Sequence, residues 1–338
     1  MKIIALFFAI SIGVGSAPAQ QTPPLLFEHT IPLPGIAGKF DHFAIDVAGK
    51  RLFAAATGNH SVEVIDLATG KVSQSISGLG KPHGLAWVAS NQTLYVADGT
   101  LAELRQYRGS PFELAGSIKL SDDADDMVYN GLSHLLFVGH GGSEVAPARI
   151  AVVDTESFRL KANLPVTSHP EALEIDSQNQ RIFANIADSG EISVLDGAGN
   201  AVTGNWKLTG AIHNVPFAYD ADDRVLYVAC RTPAVLLALD AATGKELARI
   251  PTGEGADDLF YDSSARRIYV IAGAGEVDVF QADARGALRS LGMVSTAAGA
   301  KTALFVPSQS LLYVGVPGVG GKAAEIRIYS AAAQRGSN

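Results

Sequence analysis

Short apolar runs alternate with polar turns along most of the chain. Seven of these runs share an aliphatic residue followed by an aromatic one, as in "RLFAAA", "TLYVAD" and "RIYVIA". The aromatics are Phe53, Tyr95, Phe137, Phe183, Tyr227, Tyr269 and Tyr313, at successive spacings of 42, 42, 46, 44, 42 and 44 residues. A period this regular predicts a repeat architecture in which one structural unit recurs seven times.

Each copy of the repeat contains four short runs separated by turns. One run precedes the aromatic run ("FAIDV"), another follows it ("SVEVID"), and a fourth run leads into the next copy ("ELARIP"). The turn "ATGK" occurs twice, at residues 68–71 and 242–245. Four strands joined by tight turns form the blade of a β-propeller. An array of β-sandwiches would not keep one register through seven copies, so the pattern predicts an all-β, seven-bladed β-propeller of four-stranded blades.

The two ends of the chain are predicted to complete the ring. The last copy stops at "EIRIYS" without a fourth run, while "LLFEHTIPL" (residues 25–33) precedes the first copy. Pairing this N-terminal strand with the last blade would remove the open edge of the sheet. We therefore expect one propeller domain over residues 20–330, followed by a flexible tail over residues 331–338.

The first nineteen residues have the order of a secretory signal. One positive charge at Lys2 precedes an apolar stretch over residues 3–14, and "APA" follows at residues 17–19. The apolar stretch is short for a membrane span, so cleavage after Ala19 is favoured over a retained anchor. The mature protein is expected to be periplasmic or secreted, without a membrane span.

Composition and charge narrow the classes of function. Cys230 is the only cysteine, so an intrachain disulfide, a haem-attachment motif and a thiolate zinc cluster are excluded. The net charge of −8 gives no general attraction to nucleic acid or to anionic lipid, and nucleic-acid binding is not expected. The chain also lacks the phosphate-binding loop, the nucleophile elbow and the paired-histidine zinc motif.

The repeat resembles that of a known family. "LYVA", "VEVID" and "TGK" are similar to the repeats of exported YVTN-type propellers, the YncE-like proteins, over nearly all of the mature chain. The resemblance implies the propeller fold. It also favours, less specifically, a protein that binds a small ligand, a cation or a protein partner at the mouth of its central channel. The protein is expected to be a monomer.

Ionisable residues recur at one position of the repeat, twelve residues before each aromatic. This position marks the start of the innermost strand, where seven strands crowd the channel, and its occupants are Asp41, His83, Asp125, Glu171, Val215, Asp257 and Lys301. The next position adds His42, Asp126 and Asp258, and His169 and His213 lie just upstream. A residue that only caps a turn would be the same in every blade. The variation between blades therefore favours a lined pocket.

The loops that follow the aromatic strands are predicted to reach the same mouth, and they add His140 and Arg231 to the candidates. The candidate ligand-binding residues are Asp41, His42, His83, Asp125, Asp126, His140, His169, Glu171, His213, Arg231, Asp257, Asp258 and Lys301. Oxygen ligands suit Ca²⁺, Mg²⁺ or Mn²⁺, and added histidines shift the preference towards Mn, Fe, Zn or Cu. Arg231 and Lys301 would orient an anion.

The alternative function is that of a metal-assisted hydrolase or lyase acting on a lactone or cyclic ester. A cation at the mouth would polarise the carbonyl group, and a histidine or aspartate would act as the base. The candidate residues for this chemistry are His42, His83, Asp125, His169, Glu171, His213 and Asp257. No spacing among them matches a compact metal motif, so the sequence leaves the identity of the ligand open.

Overall fold

The computed structural model describes residues 23–331, which form seven antiparallel sheets of four strands each. The chain is a seven-bladed β-propeller, and the prediction of fold is confirmed. The predicted signal (residues 1–19) and residues 332–338 of the predicted tail lie outside the described residues. Among residues 23–331, no helix has the length and apolar character needed to cross a membrane.

The first four blades follow one another along the chain, each with its innermost strand first. Blade 1 consists of β2 (Phe43–Asp46), β3 (Arg51–Ala56), β4 (Ser61–Asp66) and β5 (Lys71–Ile76). Blade 2 consists of β6 (Pro82–Val88), β7 (Thr93–Asp98), β8 (Glu103–Arg108) and β9 (Glu113–Lys119). Blade 3 consists of β10 (Met127–Asn130), β11 (Leu135–His140), β12 (Arg149–Asp154) and β13 (Arg159–Pro165). Blade 4 consists of β14 (Pro170–Asp176), β15 (Arg181–Ile186), β16 (Glu191–Asp196) and β17 (Val202–Lys207).

The remaining blades complete the ring. Blade 5 consists of β18 (Ile212–Asp220), β19 (Val225–Thr232), β20 (Ala234–Asp240) and β21 (Glu246–Pro251). Blade 6 consists of β22 (Ala256–Asp262), β23 (Arg267–Ala272), β24 (Glu276–Ala282) and β25 (Leu288–Ser295). Blade 7 consists of β26 (Thr302–Val306), β27 (Leu311–Val316), β28 (Ala324–Ala331) and β1 (Leu25–Leu33). Three short 3₁₀ helices span Thr57–Asn59, Ala284–Gly286 and Pro307–Gln309.

Strand β1 closes the ring as the sequence predicts. It pairs antiparallel with β28, in a register that sets Ile31 opposite Ile326 and Leu33 opposite Ala324. Ile31 and Leu33 point into the core between blades 7 and 1 and are almost fully buried. The N-terminal strand therefore supplies the outermost strand of the last blade.

The core of the protein lies between neighbouring blades. Each hydrophobic cluster combines side chains of two adjacent sheets, as where Phe53 of blade 1 packs with Leu94 of blade 2. All seven repeat aromatics lie on the second strand of their blade and are buried. Cys230 is fully buried in the cluster between blades 4 and 5, and burial raises the pKa of its thiol to about 12. An inert thiol is the predicted state of Cys230, and this environment keeps it protonated.

Candidate functional site

All seven residues at the recurring polar position line a single cavity at one end of the channel. The cavity has a volume of about 200 Å³. Its lining from this position is Asp41, His83, Asp125, Glu171, Val215, Asp257 and Lys301. His42, His169, Arg231 and Asp258 line it as well. The propeller symmetry therefore brings together residues that lie up to 260 positions apart in the sequence.

Local breaks in strand pairing aim these side chains at the channel. The ladders of β6, β14, β18 and β22 with their neighbours are interrupted between Pro82 and Leu85, Pro170 and Ala172, Asn214 and Phe217, and Ala256 and Asp258. His83, Glu171, Val215 and Asp257 lie inside these interruptions. A β-bulge re-aims the side chains of the strand that carries it. In blades 1, 3 and 7 the innermost strand begins only after the recurring position.

His42 lies among four carboxylates. Its Nε2 atom is 3.6 Å from Asp41 Oδ1 and 3.7 Å from Asp125 Oδ1. Its Nδ1 atom is 3.9 Å from Asp126 Oδ1 and from Asp258 Oδ1. Asp41, His42 and Asp125 each offer one donor atom within 4.8 Å of the others, which is a spacing that can hold a metal ion.

A second group of donors lies on the other side of Asp125. It consists of Asp125, His169 and Glu171, whose donor atoms also lie within 4.8 Å of one another. His169 Nε2 is 3.5 Å from Asp125 Oδ2, while His169 Nδ1 is 2.6 Å from the carbonyl oxygen of Gly141. A proton on Nδ1 donated to that carbonyl leaves Nε2 free to act as a ligand.

His83 is a buried imidazole without a hydrogen-bond partner. Only 4% of the residue is exposed, and neither ring nitrogen makes a hydrogen bond. Its Nδ1 lies 3.2 Å from Asp125 Oδ1, which is itself buried without a hydrogen bond. The neighbouring Gly84 allows this approach, because a Cβ atom there would lie 2.2 Å from the carbonyl oxygen of Asp125. Buried polar groups are nearly always satisfied, so these atoms keep the capacity to bind a further group.

The two carboxylates of each acidic doublet, Asp125–Asp126 and Asp257–Asp258, make different contacts. The first carboxylate of each doublet faces the cavity. The second accepts a backbone N–H from the next blade: Asp126 Oδ2 from Leu173 at 2.7 Å, and Asp258 Oδ2 from Ala303 at 2.6 Å. The second residue of each doublet therefore joins adjacent blades and faces His42 with its other oxygen.

Blades 5 to 7 contribute cations to the cavity. Asp257 forms ion pairs with Arg231 and with Lys301, the latter at 2.5 Å. Arg231 also donates from Nε to the carbonyl oxygen of Ala256 at 2.8 Å. These contacts hold two positive groups beside the imidazoles and carboxylates of blades 1 to 4.

The electrostatics of the site follow from burial and close charges. Burial lowers the pKa of His42 and of His169, but the surrounding carboxylates outweigh it and raise the two values to about 10 and about 9. Burial, assisted by the charge of Asp125, raises the pKa of Asp41 and of Glu171. Burial also opposes ionisation of Asp125, but hydrogen bonding to His169 and the close imidazoles of His83 and His42 hold its pKa far below the usual range.

Three predicted site residues do not line the cavity: Asp126, which faces His42 from beside it, and His140 and His213, which lie elsewhere. His140 is fully buried, accepts a hydrogen bond from Ser121 N at its Nδ1, and contacts Asn163 Oδ1 through Nε2. His213 is exposed, and its Nδ1 lies 3.1 Å from Thr232 Oγ1. His140 and His213 occupy positions of the repeat next to those of the cavity residues. Their side chains do not point into the cavity, because one is buried in the protein and the other faces solvent.

Three charged lining residues, Lys39, Lys81 and Asp123, were missed at the sequence level, as was Thr302. Each of the three charged residues stands two positions before a recurring polar residue, and His169 has the same offset. In an extended chain, residues two apart point the same way. The offset of two was the signal that could have identified them.

A second cavity of about 320 Å³ lies further along the channel and shares His42, Asp257 and Asp258 with the first. Glu174 lines it, and burial together with the charge of Asp126 raises the pKa of Glu174 from 4.5 to about 7, despite a hydrogen bond from Ile175 N. The folded state therefore binds this proton more tightly than the unfolded chain does.

Glu174→Gln is expected to make stability less dependent on pH. Because the folded-state pKa is raised, the contribution of Glu174 is fully present below pH 4.5 and falls as the pH rises to about 7. The loss is on the order of 3 kcal/mol, and glutamine does not incur it. In urea unfolding, Glu174→Gln should have a higher free energy of unfolding than the wild type at pH 8 but not at pH 4.5. The exposed control Glu156→Gln should match the wild type at both pH values. If the difference in free energy of unfolding between Glu174→Gln and the wild type is the same at both pH values, the raised pKa of Glu174 is contradicted.

Comparison with known proteins supports the fold and no more. No family model matches the chain, and no curated protein does. Hydrazine synthase of Kuenenia stuttgartiensis is similar in structure with a TM-score of 0.75 and 17% identity, over 86% of this chain and 95% of that one. A chain of the mitotic checkpoint complex is similar with a TM-score of 0.76 and 13% identity, over 98% of this chain and 99% of that one. At these identities the likeness is one of fold alone.

Proposed function

We propose that the protein is an exported β-propeller that binds a divalent transition-metal ion at the mouth of its channel. The observation that carries the proposal is the convergence of three imidazoles and four carboxylates from blades 1 to 4 on one cavity, where the ring nitrogens of His83 make no hydrogen bond. Each of these four blades contributes one or two donors, and within the described residues, 23–331, no compact group of three donors comes from a single blade. The N-terminal segment, with its signal-like order, supports export.

The donor set favours particular metals. Imidazole nitrogens together with carboxylate oxygens suit Mn²⁺, Fe²⁺ or Zn²⁺ better than Ca²⁺ or Mg²⁺, which prefer oxygen ligands alone. The acceptor carbonyl of Gly141 fixes the ring of His169, in the way that outer-shell contacts orient metal-binding histidines. The types of donor atom and the orientation of His169 therefore both support the proposed transition-metal ion.

Arg231 and Lys301 indicate the ligand that the metal would hold. Both are ion-paired with Asp257 and line the cavity that contains the imidazoles. A small molecule with an anionic group would bind the metal at one side and these cations at the other. We propose such a ligand for the mouth.

Calorimetric titration of chelator-treated protein with Mn²⁺ and with Zn²⁺ tests the proposal. The wild type is expected to bind metal, and His83→Ala to bind it at least tenfold more weakly, because an inner donor exceeds the effect of an outer one. The matched control is His134→Ala, an exposed histidine that contacts the hydroxyl of Tyr129. Absence of metal binding by the wild type, or equal affinities of the two variants, would overturn the proposal.

A second candidate function is metal-assisted hydrolysis or lyase chemistry on a lactone or cyclic ester. It is favoured by the small number of protein donors in each group, three, which leaves coordination positions for substrate and water. Lys301 and Arg231 would hold the carboxylate that ring opening releases. Turnover of simple lactones that disappears with chelator and returns with Mn²⁺ would support this function, and turnover indifferent to chelator would exclude it.

A further inference from the structure

We propose that the channel mouth holds two metal ions bridged by the carboxylate of Asp125. The proposal rests on the proposed function, because it concerns the number of ions in the same site. It arises from the arrangement of donors around one residue, since Asp125 belongs to both donor groups. The first group is Asp41, His42 and Asp125, and the second is Asp125, His169 and Glu171.

The spacing of the donor atoms separates the two groups. Within each group the atoms lie within 4.8 Å of one another, and among residues 23–331 no group of this compactness includes both His42 and His169. Opposite ligands of one ion lie about 4–5 Å apart, given metal–oxygen distances of about 2.0–2.6 Å. Each group therefore fits around one ion, while the five residues together do not.

The two oxygens of Asp125 face different groups. Oδ1 lies 3.7 Å from His42 Nε2 and 3.2 Å from His83 Nδ1, while Oδ2 lies 3.5 Å from His169 Nε2. A carboxylate that presents one oxygen to each of two sites is the usual bridge of a paired-metal centre, where the ions lie about 3.5–4 Å apart. Asp125 has the geometry of such a bridge.

Each group has its own outer contacts. In the second group, His169 Nδ1 lies 2.6 Å from the carbonyl oxygen of Gly141. In the first group, His42 Nδ1 faces the carboxylates of Asp126 and Asp258 at 3.9 Å. Both arrangements leave Nε2 directed at Asp125. The contact of His169 is a hydrogen bond like those that orient metal-binding imidazoles, whereas those of His42 are longer charge contacts.

Unsatisfied buried atoms supply a separate observation. Both nitrogens of His83 and Oδ1 of Asp125 are buried without a hydrogen bond. His83 Nε2 also lies 3.9 Å from Asp41 Oδ2, so this ring stands beside the first group. The first group therefore has a fourth donor close by, and its need for a ligand does not depend on the second group.

The number of bound ions tests the proposal. Protein loaded with Mn²⁺ and desalted is expected to contain two ions per chain by elemental analysis, and its electron paramagnetic resonance spectrum should show two exchange-coupled Mn²⁺ ions. Asp41→Asn should lose the ion of the first group, and Glu171→Gln the ion of the second. Each variant should then hold one ion with the six-line spectrum of isolated Mn²⁺.

Asp188→Asn is the matched control, because Asp188 is an exposed aspartate outside both groups; it should keep two ions and the coupled spectrum. One ion per chain in the wild type, or an uncoupled spectrum at two ions, would overturn the paired site and leave the proposed function standing. No bound ion would overturn both. The wild-type spectrum decides the question even if a variant fails to fold.

Discussion

Asp125→Asn is expected to abolish metal binding at the proposed site in the channel mouth, and with it the thermal stabilisation that added Mn²⁺ would provide. Asp125 is the residue shared by both donor groups, and its two oxygens face His42, His83 and His169. Loss of an outer-shell partner costs about 10–100-fold in metal affinity. Loss of the shared inner donor should exceed that range, and titration with Mn²⁺ measures it.

The same variant gives a second readout by thermal unfolding. Metal at a hundred times its dissociation constant stabilises a folded protein by about 2.7 kcal/mol per site. For two sites the wild-type melting temperature should rise by about 8 °C, and that of Asp125→Asn should not change with metal. The exposed Asp188→Asn should respond like the wild type. A full metal response in Asp125→Asn would show that the ion binds elsewhere.

The second large effect is expected from the strand that closes the ring. Leu33→Ala should lower the free energy of unfolding by about 2–5 kcal/mol, because it leaves a cavity in a packed core. Leu33 is fully buried between blades 7 and 1, and its strand joins residues about 300 positions apart. Weakening β1 also exposes the edge of β28, so the loss should fall at the upper end of the range.

Leu26→Ala on the same strand is the matched control. Leu26 is 42% exposed, and its truncation should change stability by about 0.5 kcal/mol or less. Urea unfolding of both variants, with proteolysis to detect release of the N-terminal segment, compares them directly. If Leu33→Ala lowers the free energy of unfolding as little as Leu26→Ala does, β1 does not contribute to the stability of the closed propeller.

The fold was predictable from the sequence because each blade repeats the same physical problem. Every copy must bury an aromatic such as Tyr227 against its neighbour, and that need leaves a periodic signal in the sequence. The closing strand was predictable for a related reason, since an unpaired edge on β28 required a partner. Strand order and ring closure both follow from local pattern combined with satisfied backbone hydrogen bonds.

The candidate site was predictable only as a set of positions. The repeat shows which residues stand at the channel, but the direction of a side chain depends on bulges that single-sequence pattern does not reveal. His213 and His169 hold the same offset in their blades, yet one is exposed and the other points at Asp125. Likewise, the different contacts of Asp125 and Asp126 depend on a backbone N–H of the next blade, which Asp126 accepts.

The ring around the mouth is unequal in composition. Blades 1 to 4 supply the three imidazoles, four of the six carboxylates and the cations Lys39 and Lys81. Blade 5 interrupts the polar series with Val215 and adds Arg231, and Lys301 precedes the first strand of blade 7. Seven-fold repetition provides the enclosure, and departure from it makes the wall of the enclosure chemically different from blade to blade.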